Sequence, residues 1–368
     1  MKVSLAHDHL FQLGGAERVV LEFHQIFPEA PLYTLISALQ PGNSFDQLNI
    51  KTSFLQKMPG AKKHLQYYLS LMPHAWEQLN FSDYNIVLSS TSALAKGLIT
   101  PPNCLHICYC HTPTRYLWSD AYNYIEELNQ PRIIKKVLPL VLHKLRMWDL
   151  FAAQRVDYFI TNSYYIKKRI RKYYNKPAHV IYPPVNVEQY RVSPNIKDYY
   201  IIVSRLRPYK KVDLAIRAFN ELGLPLIIIG GGEEYAKLKK LAKPNVKLLG
   251  EVSEERKIQL LSQAKAFIHP QIEDFGIAAV EAMAAGRPVI AYNEGGATET
   301  VIDGQTGILY NEQSWECLVH TILKFDHTQF NSEAIRNHAN KFNATRFREE
   351  IEEYISKVWQ DHNNQTII

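Results

Sequence analysis

Short apolar runs and stretches of helical period alternate along the chain. Lys2–Ala6 reads as a short buried strand. After Gly14-Gly15 a helix is predicted over Ala16–Ile26, where Val19, Val20, Phe23, Ile26 and Phe27 recur on one face. Further strands are predicted at Pro31–Ile36, Asn85–Ser90 and Leu105–His111. A long helix follows at about Ile133–Arg155, then a strand at Asp157–Thr161, a basic helix near Ile166–Tyr174 and a strand at Val180–Tyr182. The polar stretch from Pro183-Pro184 to Pro194-Asn195 reads as a linker. Proline lacks an amide donor and biases the residue before it away from helix. Beyond it, Tyr199–Ser204, Leu226–Ile229, Val246–Leu249, Ala266–His269 and Val289–Ala291 are apolar or β-branched. Each leads into a polar or Gly-rich turn and a helix-like segment. Thr345–Trp359 is one more amphipathic helix, with no strand after it.

Near-continuous apolar strands separated by helices indicate parallel sheets covered on both faces. The expected fold class is α/β, with two doubly wound, Rossmann-like domains facing a cleft. The first is expected over 1–185 and the second over 186–344, with the terminal helix 345–362 packing back on the first. Ligands in such folds bind at the carboxyl ends of the strands, so functional residues are sought there.

Composition narrows the class. At 368 residues the chain has room for two sizeable cores, and 46% hydrophobic with 21% charged residues excludes a disordered, collagen-like or coiled-coil chain. The start lacks a long apolar run, and no stretch approaches the ~20 apolar residues of a membrane span. Four cysteines make no disulfide framework. A cytoplasmic protein with reduced thiols is therefore expected. The net charge of +6 is uneven. Residues 132–176 hold twelve Lys and Arg against Asp149 and Asp157, a net +10 that leaves −4 for the rest. Interleaved Leu, Val, Trp and Tyr suit an anionic lipid surface as well as a solvated basic face. Nucleic acid is not implied.

The segment from His269 to Ala291 carries the most chemistry. A strand ends near His269, a loop holds Glu273, Asp274, Phe275 and Gly276, and a helix starts at Ile277. A helix start offers unpaired amides and a positive dipole end to a phosphate or sugar hydroxyl. Glu273 and Glu281 could be a solvated loop acid and a surface helix acid. The other reading is that one faces a sugar and the other reaches a ribose diol, and the helix around Glu281 favours it. Glu281 sits in an almost wholly apolar helix, where an acid needs a partner.

With seven residues between them, Glu273 and Glu281 resemble the Glu-x7-Glu motif of the retaining glycosyltransferases of family 4, which have the GT-B fold. Asn293–Tyr310, with its Glu-Gly-Gly turn, is similar to that family's turn and following strand. The resemblance spans the chain and is most specific from Val203 to Tyr310. It implies that Glu273 approaches the donor sugar and Glu281 the donor ribose. In Ser204-Arg-Leu-Arg-Pro-Tyr-Lys-Lys, Arg205 and Lys210 match the family's basic pair on the donor diphosphate. There preorganised cations would stabilise charge building on the leaving phosphate. Lys211 stands where the family often has Gly, which leaves the choice between Lys210 and Lys211 open. Gly14-Gly15 resembles the family's N-terminal glycine loop. Gly230 and Val252 join the donor-binding positions. Gly230-Gly231-Gly232 fails the dinucleotide fingerprint, with Tyr235 in the third glycine's place.

Around Cys108-Tyr-Cys-His111 a metal site competes with buried strand cysteines. The spacing is not that of paired C-x2-C, and alternation puts Cys108 and Cys110 on one face and Tyr109 on the other. His111, at the strand end, matches the family's His on the donor sugar. The run His111-Thr-Pro-Thr-Arg115-Tyr-Leu-Trp looks like bacterial mannosyltransferases that build O-antigen or other surface polysaccharides. His7, Asp8 and Arg115 are placed on the acceptor side, with a structural role for His7 and Asp8 equally open. No Asp-x-Asp occurs, so metal-free binding of the diphosphate is expected, with no cofactor.

The reading is a hexosyltransferase moving a sugar, best matched by mannose from GDP-mannose, onto a saccharide or lipid-linked saccharide at the inner face of the plasma membrane. Front-face attack assisted by the phosphate and a covalent intermediate on Glu273 both remain open. The alternatives are a sugar-nucleotide epimerase and a non-catalytic nucleotide-sugar binder.

Overall fold

Aliphatic and β-branched residues dominate the short runs between turns. In the computed structural model they form parallel strands in two sheets, among the described residues 1–122, 125 and 132–366. The strands are β1 (Val3–His7), β2 (Leu32–Thr34), β3 (Ile50–Thr52), β4 (Ile86–Thr91), β5 (Leu105–Cys110), β6 (Tyr158–Thr161) and β7 (His179–Val180), then β8 (Tyr200–Val203), β9 (Leu226–Ile229), β10 (Val246–Gly250), β11 (Phe267–His269), β12 (Val289–Tyr292) and β13 (Gly307–Tyr310). The first sheet runs β3-β2-β1-β4-β5-β6-β7 and the second β10-β9-β8-β11-β12-β13. Both are Rossmann-like. The chain divides into one unit of Met1–Tyr182 with the segment from Phe347 onward, and another of Pro183–Arg346.

In the first unit, alternation along β5 separates two faces. Leu105, Ile107 and Tyr109 join a core with Val19, Val20 and Phe23 of the helix Gly15–Ile26. Cys108 and Cys110 face the other way, against Phe159, Ile166 and Ile170. Burial pushes the Cys108 thiol up to about 12, and it packs as a small hydrophobe. The helix Ala344–Thr366 adds Phe347, Ile351, Ile355 and Val358 to the first face. Spaced at i, i+4, i+8 and i+11, these four form one stripe, and full burial of each is worth about 1.5–3 kcal/mol. Phe347 stacks on Phe23 with ring centroids 5.9 Å apart, and Arg348 meets Glu22 at 2.5 Å. Such contacts tie the end of the chain to the unit that contains its beginning.

The second unit buries Ile202, Ile228, Ile268 and Ile290 of its central strands under Val212, Ile216 and Phe219 of the helix Val212–Leu222. Its other helices are Tyr235–Leu241, Glu254–Gln263, Ile277–Ala284, Trp315–Lys324 and Ser332–Ala339. β3, the helix Met72–Glu77 and the helices Trp315–Lys324 and Ser332–Ala339 lie outside the sequence expectations. Ile50-Lys-Thr52 is a three-residue edge strand, too short for alternation to register.

Candidate active site

In the first unit the strand register brings the candidate residues together. β1 lies between β2 and β4, and β5 flanks β4. His7 pairs with Ser90 across β1 and β4, and Thr91 pairs with Cys110 across β4 and β5. His7, Ser90 and His111 thus meet at one edge. His7 Nδ1 lies 3.0 Å from the Ser90 carbonyl and 3.2 Å from its Oγ, and Ser90 Oγ lies 2.8 Å from His111 Nε2. Glu17 Oε1 stands 3.7 Å from His7 Nε2, and Glu17 Oε2 accepts the Gly14 amide at 2.9 Å. Burial opposes ionisation of Glu17, but His7 and the amides of Glu17 and Gly14 outweigh it and hold the carboxyl below its ordinary range. Burial lowers His111 to about 4, with His7 adding to the effect, so His111 is neutral near pH 7.

The glycine pair is not at positive φ. Gly14 is extended at φ −118° and precedes a helix whose third residue, Glu17, caps it. Asp8 does not face outward. It accepts amides from Ser92, Ala93, Leu94 and Ala95 at 2.7–2.9 Å and the Thr91 hydroxyl at 3.0 Å. Burial would raise Asp8, but His7, His9 and these amides hold it below its ordinary value. Asp8 shapes the loop after β4, the structural role that the sequence leaves open for it. Arg115 pairs with Asp120 at 2.8 Å.

A second buried cluster holds the loop after β5. Asp149 of the helix Arg132–Arg155 meets Lys96 at 2.6 Å, and accepts from Thr114 at 2.9 Å, Trp118 at 2.7 Å and Tyr174 at 2.8 Å. Lys96 also reaches Thr114 Oγ1 at 3.0 Å. Along the sequence Asp149 stands out only as a charge. Its partners lie up to 53 positions away, so nothing local announced the pairing.

In the second unit the loops after β8, β9 and β11 carry the candidates. The loop holding Arg205 is pressed against the triple glycine. A Cβ on Gly230, at φ +130°, would stand 1.9 Å from the Ser204 carbonyl oxygen, and one on Gly232 2.4 Å from that of Leu206. Gly230 therefore backs the Arg205 loop, and its own Cα has no side to spare there. Arg205 is exposed. Lys210 closes the turn Pro208–Lys210, and Lys211 follows at φ 51°, the left-handed conformation that favours glycine. That conformation accounts for the glycine the family often has at this position.

Lys210 Nζ pairs with Glu273 Oε1, and Gln271 Nε2 donates to the same oxygen at 3.1 Å. Burial would raise Glu273, yet Lys210, then His269 and Gln271, pull it down to about 2. Glu273 is thus a carboxylate near pH 7 and no general acid. Its loop is braced by Gly295-Gly296. A Cβ on Gly295 would lie 2.5 Å from the Glu273 carbonyl oxygen and one on Gly296 2.4 Å from Phe275 Cα, and the Gly296 amide donates to Glu273 O at 2.8 Å. Gly276, at φ +93°, turns the chain into the helix Ile277–Ala284. Asp274 is partly buried, whereas the Phe275 ring is buried against Phe342 at 5.5 Å. Val252 is partly buried just before the helix Glu254–Gln263.

Glu281 has the partner its apolar helix demands. Lys257 Nζ lies 3.2 Å away and also 2.8 Å from Glu254. Lys257, His269 and Gln271 escaped the sequence reading. Burial lowers His269 to about 4, its Nδ1 lies 3.3 Å from Gln271 Nε2, and its Nε2 is buried with no hydrogen-bond partner among the described residues. The alternation of His269 and Gln271 with Glu273 after β11 was the available signal.

Two family models match the chain, "Glycosyltransferase Family 4" over residues 13–189 and "Glycosyl transferases group 1" over 186–359. An uncharacterized glycosyltransferase of Methanocaldococcus jannaschii is 32% identical over 200 residues, 52% of this chain and 55% of that protein. The alpha-1,3/1,6-mannosyltransferase ALG2 of Dictyostelium discoideum is 28% identical over 277 residues, 61% of this chain and 63% of that protein. The chain thus spans less than two thirds of the length of these relatives. Among solved structures, Anabaena HepE in complex with UDP and glucose superposes with a TM-score of 0.70 at 19% identity, covering 97% of this chain and 99% of that one. With both sheets built as the GT-B fold requires and the two models together spanning residues 13–359, the chain belongs to the family 4 glycosyltransferases of GT-B fold.

Proposed function

We propose that this protein is a retaining hexosyltransferase that moves mannose from GDP-mannose onto a saccharide acceptor, without a metal. The observation that carries the reading is the Lys210–Glu273 pair at the start of the helix Ile277–Ala284, with Arg205 in the loop that also carries Lys210. Breaking a sugar–phosphate bond builds negative charge on the departing phosphate and positive charge on the sugar. Arg205 and Lys210 suit the first, and an ionised Glu273 suits the second as an electrostatic partner or as a nucleophile. The likeness to a mannosyltransferase supports mannose. UDP-glucose is the second reading, because HepE holds UDP and glucose.

A thermal-shift panel separates the two. GDP and GDP-mannose are expected to stabilise the chain at concentrations where UDP and UDP-glucose do not, and the reverse ranking overturns the mannose reading. Glu273→Ala or Arg205→Ala is expected to lower transfer about 100- to 1000-fold, the size of one lost transition-state contact. Undiminished transfer by either folded variant removes the site assignment. Transfer that survives exhaustive chelation supports the metal-free reading. Sugar conversion without an acceptor would favour an epimerase instead.

The acceptor is proposed to be lipid-linked and met at an anionic membrane. No described helix is long and apolar enough to cross a bilayer. The helix Arg132–Arg155 exposes Val137, Leu140, Met147 and Phe151, spaced as one face, beside exposed Lys136 and Lys144. The Arg132 side chain lies outside the described residues. Apolar insertion flanked by lysines is the pattern of an interfacial helix. Neutralising Lys167, Lys168, Arg169, Arg171 and Lys172 is expected to weaken binding to anionic vesicles, and no binding by the unmodified protein ends this part of the proposal.

A further inference from the structure

The polar chain at the carboxyl ends of β1, β4 and β5 has a defined direction. A carbonyl oxygen only accepts, so the 3.0 Å contact between His7 Nδ1 and Ser90 O requires a proton on Nδ1. The same N–H is shared with Ser90 Oγ at 3.2 Å, which makes Ser90 Oγ an acceptor toward His7. The Ser90 hydroxyl hydrogen must then go elsewhere. Ser90 is fully buried, and among the described residues His111 Nε2, at 2.8 Å, is the acceptor that remains. Were His111 Nε2 to donate instead, the buried hydroxyl hydrogen would be left without a partner, a cost of about 1–3 kcal/mol. At the far end, Glu17 stands against His7 Nε2 and is itself held by the Gly14 amide. Tyr109 packs edge-on against the His111 ring at 5.1 Å, and Asn162 Nδ2 anchors the backbone of that residue by donating to the His111 carbonyl at 3.0 Å.

We propose that Glu17, His7 and Ser90 are positioning residues that hold His111 as the neutral Nδ1–H tautomer, so that it presents a hydrogen-bond donor to a sugar hydroxyl oxygen. The inference rests on the reading above only in taking a sugar as the ligand of His111. A neutral imidazole held in one tautomer discriminates an oxygen acceptor, while a free one would offer either edge.

The test is the tautomer itself, read by long-range 1H–15N spectra of the full chain labelled at histidine. His111 is expected to show a protonated Nδ1 and an unprotonated Nε2 near pH 7. A protonated Nε2 in the unmodified protein overturns the proposal, whatever the activity. Ser90→Ala is expected to release the ring to a tautomer mixture and lower kcat about 10-fold, with KM for the donor within about twofold, and Ser90→Thr to restore both. An unchanged tautomer and kcat in folded Ser90→Ala also overturns it. The two readings fail separately. Nδ1–H at His111 without transfer from any nucleotide sugar supports the relay and sinks the transferase proposal. Nε2–H in an active enzyme sinks the relay alone.

Discussion

Two lysine–carboxylate pairs set the two units apart. Lys96 and Asp149 in the first unit have 0% side-chain exposure, and Asp149 is also hydrogen-bonded by Thr114, Trp118 and Tyr174. Lys210 and Glu273 in the second unit keep 13% and 21% exposure, each in a loop that leads from a strand into a helix. The buried pair has no spare valence for a ligand. Its charges are desolvated and satisfied, so its role is to hold the loop that runs on from His111. The partly exposed pair can be reached, and an incoming diphosphate would compete for the same Lys210. The Lys96–Asp149 pair is thus closed by burial, and the Lys210–Glu273 pair keeps its charges within reach of solvent.

Breaking each pair from one side sharpens the contrast most. Lys96→Met leaves Asp149 buried beside neutral donors only, and a loss of about 3–5 kcal/mol in urea unfolding of the full chain is expected. Lys210→Met should cost less than Lys96→Met, because Glu273 keeps some solvent contact and the Gln271 donor, while transfer collapses. Equal stability losses for the two would erase the distinction.

Acid titration compares the units next. Burial lowers His106 to about 3 and both His111 and His269 to about 4. Their folded pKa values lie below the ordinary 6.5, so the unfolded chain binds more protons between 6.5 and those values. Stability should therefore fall as pH drops through that window, by about 1.4 kcal/mol per pH unit for each histidine. Glu273, pulled to about 2, adds a further loss only below about pH 4.5. Urea midpoints at pH 7, 6 and 5 measure this, and His106→Gln should remove one histidine's share of the slope. A flat profile from pH 7 to 5 would mean that these imidazoles titrate normally.

The smallest effect expected is at Lys211. Its φ of 51° costs a non-glycine residue about 1–2 kcal/mol, offset by the entropy glycine loses on folding. Lys211→Gly should change stability by less than about 1 kcal/mol and keep transfer. Loss of transfer there would move the functional cation from Lys210 to Lys211.

Much of this was legible along the chain. Alternating apolar runs and turns place β8, β9, β11 and β12 within a residue or two. They also place Arg205, Lys210, Glu273 and His111 at strand ends. Gly230 and Gly276 were legible as glycines, but their purpose was not. Gly230 clears the Ser204 carbonyl and Gly276 turns into a helix at positive φ. From sequence Asp8 suits a ligand and a loop alike, and the structure puts its oxygens on four amides of residues 92–95.

By itself the sequence determined the fold class and the strand-end location of the chemistry, because periodicity, proline and glycine act over a few residues. Only the tertiary structure decided the partners. Lys257 beside Glu281, Lys96 beside Asp149 and Ser90 between two histidines are separated by 24, 53 and 21 to 83 positions. The register of neighbouring parallel strands and the docking of helices set such meetings. Alternation within one strand says which face a residue takes but not what it meets across the sheet.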